Sequence, residues 1–439
     1  MAKRLTFYIM IGLVLGIVAG AVVHLSYTGS VLTEPNEVAQ AAKDSLAEIG
    51  KYLGLVTDIF LRLIKMIIAP LIFATLVSGI VHMGDTASLG RVGVKTIGWF
   101  LGATVVSLTL GMILVNILQP GAGGGFTLPP PDVTAGIAKP ESDFFKIIAE
   151  MFPKSIVEGM ANNTILQIVI FSVFFGVAMT AVGEKAEPIT KGVDALVHVM
   201  LQVTDYVMRF SPFAVFAAMT KVVAINGLGV IGTFIKFIGS FYLGLAILWV
   251  VLFIAAFVII GARAGTLFRY IREPILLAFS TASSEAAYPR TLEALDRFGV
   301  PPKIASFVLP LGYSFNLDGS MMYMTFATLF IAQLYGMHIP IEAQITMLLT
   351  LMLTSKGMAA VPRASLVVIS AVMAQFHIPE AGLVLILAVD QFLDMGRSGT
   401  NVVGNAVAAA VIAKWEGDLE PPEPPEIEPP HAPSSRGSG

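Results

Sequence analysis

The chain has 439 residues, 56% of them hydrophobic and 13% charged, with a mean hydropathy of +0.81, whereas a soluble domain carries roughly 25% charge; most of this chain is therefore solvated by lipid. Its net charge is −3 and its 27 Lys+Arg are scattered rather than gathered into a stripe, so the electrostatic footprint of a nucleic-acid binder is missing. With no cysteine, disulfides, thiolate metal sites and cysteine nucleophiles are excluded together.

Crossing a hydrocarbon core of about 30 Å takes about 20 apolar residues as helix. Six segments in the first part of the chain qualify: residues 5–25, 56–82, 96–119, 164–183, 193–219 and 237–262. Lys3 and Arg4 precede the first as they would in a signal peptide. No small-residue cleavage site follows, however, and the run is long enough to span, which predicts a transmembrane helix. Arg91 and Lys95 after the second span, and Arg263, Arg269 and Arg272 after the sixth, fall on the same side as Lys3 and Arg4. Basic loops mark that side as cytoplasmic. The loop with Glu34, Glu37, Asp44 and Glu48, and the Gly/Pro-rich stretch 121–131, then lie outside. In the second span Asp58, Arg62 and Lys65 share a helical face, which reads either as an ion path or as an internal ion pair with a snorkelling lysine.

After Arg272 the pattern changes. Residues 276–290 read LLAFSTASSEAAYPR and residues 348–363 read LLTLMLTSKGMAAVPR. Each has an apolar arm too short to cross, a Ser/Ala/Gly-rich centre, a proline and a second arm. Non-helical backbone at membrane depth survives only when buried in protein or lining a wet cavity, so both read as re-entrant helical hairpins. Each is followed by a longer helix with a polar break: residues 304–333, broken at Asn316-Leu317-Asp318-Gly319, and residues 384–413 with Asp390, Asp394, Arg397, Asn401 and Asn405. The fold class expected is thus an all-α integral membrane protein of eight transmembrane helices plus two hairpins. If the hairpins enter from opposite sides, the two units are inverted repeats with a substrate site at the midplane between them. The Pro-rich tail from Asp418 has nothing with which to form a core and is expected to be disordered.

The five polar residues at 390, 394, 397, 401 and 405 fall within an arc of roughly 80° on one helix face. Buried charges at mid-helix cost about 2.5–3.5 kcal/mol each on insertion scales, so they face partners inside the bundle. Arg397 offers a planar fork suited to a carboxylate; Asp394 would accept an ammonium group. The hairpin-tip serines and backbone N–H groups would hold a second carboxylate. A structural ion pair between Asp394 and Arg397 is the plainer alternative. The break at 316–319 frees carbonyls beside Asp318, which makes a cation site unless hydroxyls such as Ser314 or Ser320 satisfy that carboxylate.

The strings SFNLDGS (314–320), SKGMAAVP (355–362) and DMGRSGTNVVGN (394–405) resemble the dicarboxylate/amino acid:cation symporter family, the glutamate transporters and their prokaryotic relatives. That resemblance extends from the first span to about Trp415. It implies an elevator-type fold assembled as a homotrimer in the bacterial inner membrane, with both termini cytoplasmic. Residues 1–90 and 126–228 would form a static scaffold, and residues 91–125 and 229–417 a mobile transport domain. By the same resemblance Ser283, Ser284, Ser320, Ala360, Val361, Pro362, Asp394, Arg397, Ser398 and Asn401 contact substrate. Glu285, Gly312, Asn316, Asp318, Lys356, Asp390 and Asn405 belong to cation or proton coupling. No resident cofactor is implied.

Departures from the family pattern bear on the coupled ion. Leu317 stands where sodium-coupled members commonly have Met, Asn405 where they have Asp, and Phe100, Ala103 and Thr104 where they have a Tyr/Thr/Ser set in the third span. Lys356 at the second tip would supply a tethered ammonium, while Glu285, Asp318 or Asp390 would take up protons. Protons are therefore favoured over sodium. L-Glutamate or L-aspartate is the expected substrate, because a C4-dicarboxylate would leave Asp394 buried without an amine partner. An enzyme is disfavoured: GxSxG, HExxH and P-loop patterns are all missing.

Overall fold

The computed structural model describes residues 2–28, 36–83, 86–122, 149, 152–226, 229–355, 364–387 and 389–423, and its regular elements there are all helical. In chain order they are α1 (Ala2–Thr28), α2 (Asn36–Met83), α3 (Thr86–Leu118), α4 (Ile156–Ala161), α5 (Ile165–Val182), α6 (Glu187–Met208), α7 (Ser211–Asn226), α8 (Gly229–Ile260) and α9 (Arg263–Tyr270). They continue with α10 (Arg272–Thr281), α11 (Tyr288–Phe298), α12 (Pro302–Phe315), α13 (Asp318–Leu334), α14 (Ile341–Thr354), α15 (Ala364–Gln375), α16 (Gly382–Leu387) and α17 (Asp390–Glu416). Among the described residues five helical runs are long and apolar enough to cross a membrane: Phe7–Tyr27, Asp44–His82, Ser88–Leu118, Ile165–Met208 and Phe234–Ile260.

Three expectations are corrected, the third at the C-terminal end described below. The span drawn at 193–219 is divided, because α6 ends at Met208 and α7 starts at Ser211. Pro212 supplies no N–H to continue the ladder, and the Ser211 hydroxyl donates to the Met208 carbonyl at 2.7 Å across the joint. The acidic stretch from Glu37 to Glu48 is not a loop but the first turns of α2. Its Ala, Leu, Glu and Lys are strong helix formers, and Leu46 packs inward. The Asp58, Arg62 and Lys65 face of α2 is exposed.

The helices pack in two groups that share a seam, where α12 lies on α2 and α5 and α10 lies on α7. α1 lies on α7, and α2 packs against α5, α6 and α7; elsewhere α17 is surrounded by α8, α10, α12 and α13, and α13 packs on α3. From Met321 to Ala332, α13 is buried on every face, and so is α17 from Met395 to Ala413. A helix buried all round is a core element, so the polar face of α17 lies in the middle of the molecule. Arg290 ties α11 to its neighbours. Its Nη1 meets Glu293 at 2.7 Å and its Nη2 meets Asp205 of α6 at 2.7 Å.

The end of α17 is tethered. Glu416 receives hydrogen bonds from Arg91 at 2.8 Å and Lys95 at 2.7 Å. The chain from Asp418 to Glu423, expected to start the disordered tail, instead lies along the end of α11. Glu420 N–H donates to Gly299 O, and Glu423 N–H to Arg297 O, both at 2.9 Å. Lys303 pairs with Asp418 at 2.6 Å, and Arg263 and Tyr270 donate to the Glu420 and Glu423 carbonyls. Main-chain carbonyls and charges hold what apolar side chains do not.

Burial alone would raise the Glu416 carboxyl, but the hydrogen bonds from Lys95 and Arg91 hold it below the usual range. Its contribution to stability is complete above the ordinary Glu value and is lost as pH falls through the depressed one. Glu416→Gln should therefore cost on the order of 1 kcal/mol at pH 7, given the exposure of Arg91. Thermal unfolding in detergent should show a lowered Tm at pH 7, a deficit that starts to shrink only as pH falls below the ordinary glutamate value and closes once it has passed below the depressed one. A deficit that stays constant over that acid range would remove the charge from this account.

Candidate functional site

The break between α12 and α13 occupies Asn316 and Leu317, whose φ/ψ of −128°/62° and −97°/67° leave the helical region. The ladder still closes on each side: Asn316 N–H donates to Gly312 O at 2.7 Å, and Met321 N–H to Leu317 O at 2.8 Å. Gly319 lets α13 touch α17, since a Cβ there would stand 2.6 Å from Arg397 O. At this crossing Asn401 Oδ1 accepts the Gly319 N–H at 2.9 Å and the Ser320 N–H at 3.3 Å, and its Nδ2 donates to Ser320 Oγ at 3.2 Å. A side chain of α17 thus satisfies N–H groups that the start of α13 leaves open.

Arg397 is 3% exposed. Its Nη2 pairs with Asp394 Oδ1 at 2.8 Å and reaches Asp390 Oδ1 at 3.5 Å, and its guanidinium lies 4.1 Å from the centroid of the Tyr323 ring. The Tyr323 hydroxyl donates to Asp390 Oδ1 at 3.0 Å. Nε and Nη1 of Arg397 are buried and donate to nothing among the described residues. A buried donor left unmade costs about 1–3 kcal/mol, more when charged, so these two N–H groups demand an acceptor. The Asp394 side chain, in contrast, is 37% exposed.

Asp318 is fully buried. Ser107 of α3 donates to its Oδ1 at 3.1 Å and Asn316 Nδ2 to its Oδ2 at 3.2 Å. Asn316 Nδ2 also reaches Asn405 Oδ1 at 3.1 Å. Asn316 Oδ1 and Asn405 Nδ2 are buried without a hydrogen-bond partner among the described residues. The hydroxyl on Asp318 is therefore that of Ser107, not of Ser314 or Ser320.

The structure thus gathers Ser320, Asp390, Asp394, Arg397 and Asn401 at one crossing, and Gly312, Asn316, Asp318 and Asn405 beside it; Ser398 is buried on the same helix. Ser283 and Ser284 lie in the turn between α10 and α11, where Ala282 takes a left-handed φ of 49°. Ser283 Oγ accepts the Ala286 N–H at 3.2 Å. Glu285 opens the short 3-10 turn Glu285–Ala287 and is half-buried. Lys356, Ala360, Val361 and Pro362 fall outside the described residues. Sequence reasoning missed Tyr323 and Ser107. Ser107 lies three residues beyond Thr104 and seven beyond Phe100, and that helical spacing was the available signal; Tyr323 had none beyond its hydroxyl.

Residues 5–415 match the model of the sodium:dicarboxylate symporter family. The chain is 37% identical to the proton/sodium-glutamate symport protein of Geobacillus stearothermophilus over 418 residues, 94% of each chain. It is 39% identical to the proton/glutamate-aspartate symporter of Escherichia coli strain K12 over 422 residues, 94% of this chain and 93% of that one. To the C4-dicarboxylate transport protein of Pseudomonas savastanoi pv. phaseolicola it is also 39% identical, over 384 residues, 85% of this chain and 82% of the other. A buried guanidinium with open donors on a polar helix face, set among long apolar helices, agrees with what this whole-length match establishes: the chain belongs to the sodium:dicarboxylate symporter family and is a multi-pass membrane transporter, not an enzyme.

Proposed function

We propose that this protein imports L-glutamate or L-aspartate with protons by an elevator motion. The observation that carries this is the open edge of Arg397 beside the half-exposed Asp394. Arg397 would take the side-chain carboxylate and Asp394 the ammonium group, while Ser283, Ser284 and the second hairpin tip, Ala360 to Pro362, hold the α-carboxylate. One guanidinium against the two carboxylates Asp390 and Asp394 leaves this group one negative charge in excess. A substrate anion is therefore repelled unless it brings an amine or is accompanied by cations. Both glutamate relatives described above have names that include protons, and the name of the Geobacillus protein includes sodium as well.

Two assignments complete the proposal. Residues 1–90 and 126–228 form the scaffold of a homotrimer, and residues 91–125 and 229–417 move as one body carrying the site. The close grouping of α1 and α2 with α5, α6 and α7, and of α8, α10 and α13 about α17, supports this division, with α12 lying between the two sets. Both termini lie in the cytoplasm. Protons are carried by Glu285, Asp318 or Asp390, with Lys356 as a tethered cation. The neutral hydrogen-bond donors around Asp318 and the amide of Asn405 leave fewer anionic oxygens for a sodium ion.

The runner-up is a C4-dicarboxylate substrate, and one observation favours it. Asp394 is neither fully buried nor unpaired, because Arg397 holds it at 2.8 Å, so a substrate without an amine would not strand it as the sequence suggested. The Pseudomonas relative's name points the same way. What favours the amino acid is charge: a doubly negative substrate without an amine adds more repulsion to a group already negative.

Purified protein in liposomes separates these readings. Labelled glutamate or aspartate should accumulate when an inward proton gradient is imposed and should be indifferent to a sodium gradient; the reverse pattern would overturn proton coupling. Excess unlabelled aspartate should abolish glutamate uptake while succinate leaves most of it, and inhibition by succinate alone would select the dicarboxylate reading. Arg397→Ala should weaken substrate binding by about 10- to 100-fold, the loss of one charged hydrogen-bonding pair, and Arg397→Lys should restore little because it lacks the fork. Correctly inserted Arg397→Ala and Asp394→Ala proteins that still concentrate acidic amino acids like the parent would remove the proposed site.

A further inference from the structure

α8 runs alongside α17, and Tyr242, Leu245 and Trp249, three and seven residues apart, form one stripe of it. The Tyr242 hydroxyl donates to the Phe392 carbonyl at 2.6 Å, and its ring lies directly over Gly396. In an α-helix the carbonyl of residue 392 and the N–H of residue 396 are the two ends of one rung. The phenol oxygen therefore sits at the rung that encloses Asp394 and immediately precedes Arg397. There is room for it because residue 396 is glycine: a Cβ there would stand 3.0 Å from Tyr242 Cζ and 2.6 Å from Leu245 Cδ1. Farther along α17, Trp249 Nε1 donates to Thr400 Oγ1 at 2.9 Å, and that hydroxyl donates back to Gly396 O at 2.9 Å. α8 thus grips α17 at two points on either side of Arg397.

We propose that Tyr242 and Trp249 are positioning residues of the substrate site, which fix the rotation of α17 about its axis and with it the direction in which the Arg397 fork and the Asp394 carboxylate together face the rest of the site. Neither touches substrate in this scheme. A guanidinium about 5 Å from the helix axis moves about 2 Å when the helix turns by about 20°, and that is enough to lose a hydrogen bond. A substrate that engages both charges is affected more than one that engages the fork alone. The proposal rests on the acidic-substrate reading and sharpens it, by assigning selectivity to a helix contact outside the pocket.

The test uses Tyr242→Phe and Trp249→Phe in the full-length protein in liposomes, with KM and Vmax measured for glutamate and for succinate. Tyr242→Phe removes one oxygen and keeps the ring, so folding is preserved. Each variant is expected to raise the glutamate KM five- to tenfold with Vmax changed less than twofold, and to move the glutamate-to-succinate ratio of Vmax/KM at least threefold toward succinate. Backbone hydrogen exchange at residues 392–400 should quicken in both. An unchanged KM and ratio in both variants, or a fall in Vmax alone, would overturn the positioning role. A parent that transports succinate but neither acidic amino acid would instead sink the substrate reading. Positioning is then judged by whether the same variants raise the succinate KM and quicken exchange; if they do neither, it too is overturned.

Discussion

A guanidinium held in the interior of a lipid-embedded protein is the constraint on which the rest depends. Arg397 cannot shed its charge, and placing it at mid-helix costs about 2.5–3.5 kcal/mol on insertion scales. It is kept by two carboxylates on its own helix and by the face of Tyr323. Tyr323 in turn is fixed because its hydroxyl is committed to Asp390, and it lies on the helix whose N-terminal N–H groups Asn401 receives. The interruption at Asn316 and Leu317 follows from the same demand: it starts α13 beside α17, so that open N–H groups and a polar helix face meet. The apolar helices around them supply the low dielectric in which these few hydrogen bonds are strong.

Much of this was legible in the sequence, for a physical reason. Polar residues in an apolar chain are costly, so their positions stand out, and the helical period converts 390, 394, 397, 401 and 405 into a face without further knowledge. The Asn-Leu-Asp-Gly string marked the break for the same reason. What stayed hidden were polar atoms carried by side chains that read as apolar. Tyr323 and Tyr242 look like core aromatics, and their single hydroxyl takes on meaning only when the opposite helix is in place. Ser107 is one of many serines until Asp318 stands against it. Charge by itself also misled: Asp58, Arg62 and Lys65 share a face as their spacing requires, yet that face is exposed. Backbone signals are weaker. Pro212 sits inside an otherwise apolar run that hides the helix boundary beside it, and the helix-forming residues before Val56 are polar, which gives them the composition of a loop.

The C-terminal segment shows how polar contacts organise the periphery as well as the centre. Residues 418–423 bury little apolar surface, yet their carbonyls and N–H groups are engaged by Arg263, Tyr270, Arg297 and Gly299. Gly299 has φ +100°, and a Cβ there would run into the Glu420 carbonyl, so the turn that closes α11 is also the seat of the strap. The end of α11, the start of α12, the end of α17 and the start of α3 are joined in this way.

Charge balance links the central group to coupling. With Asp390 and Asp394 set against Arg397, the group is already negative before any substrate arrives, and Asp318, fully buried, lies beside it with Ser107 and Asn316 as hydrogen-bond donors. Filling the open edge of Arg397 with a carboxylate adds another negative charge to a site removed from water. Uncompensated, that addition grows more costly as the effective dielectric falls, so occupancy by an anion and occupancy by cations or protons must rise together. Coupling in such a site needs no separate device. It follows from too few positive charges held around an arginine that still has donors to satisfy among the described residues.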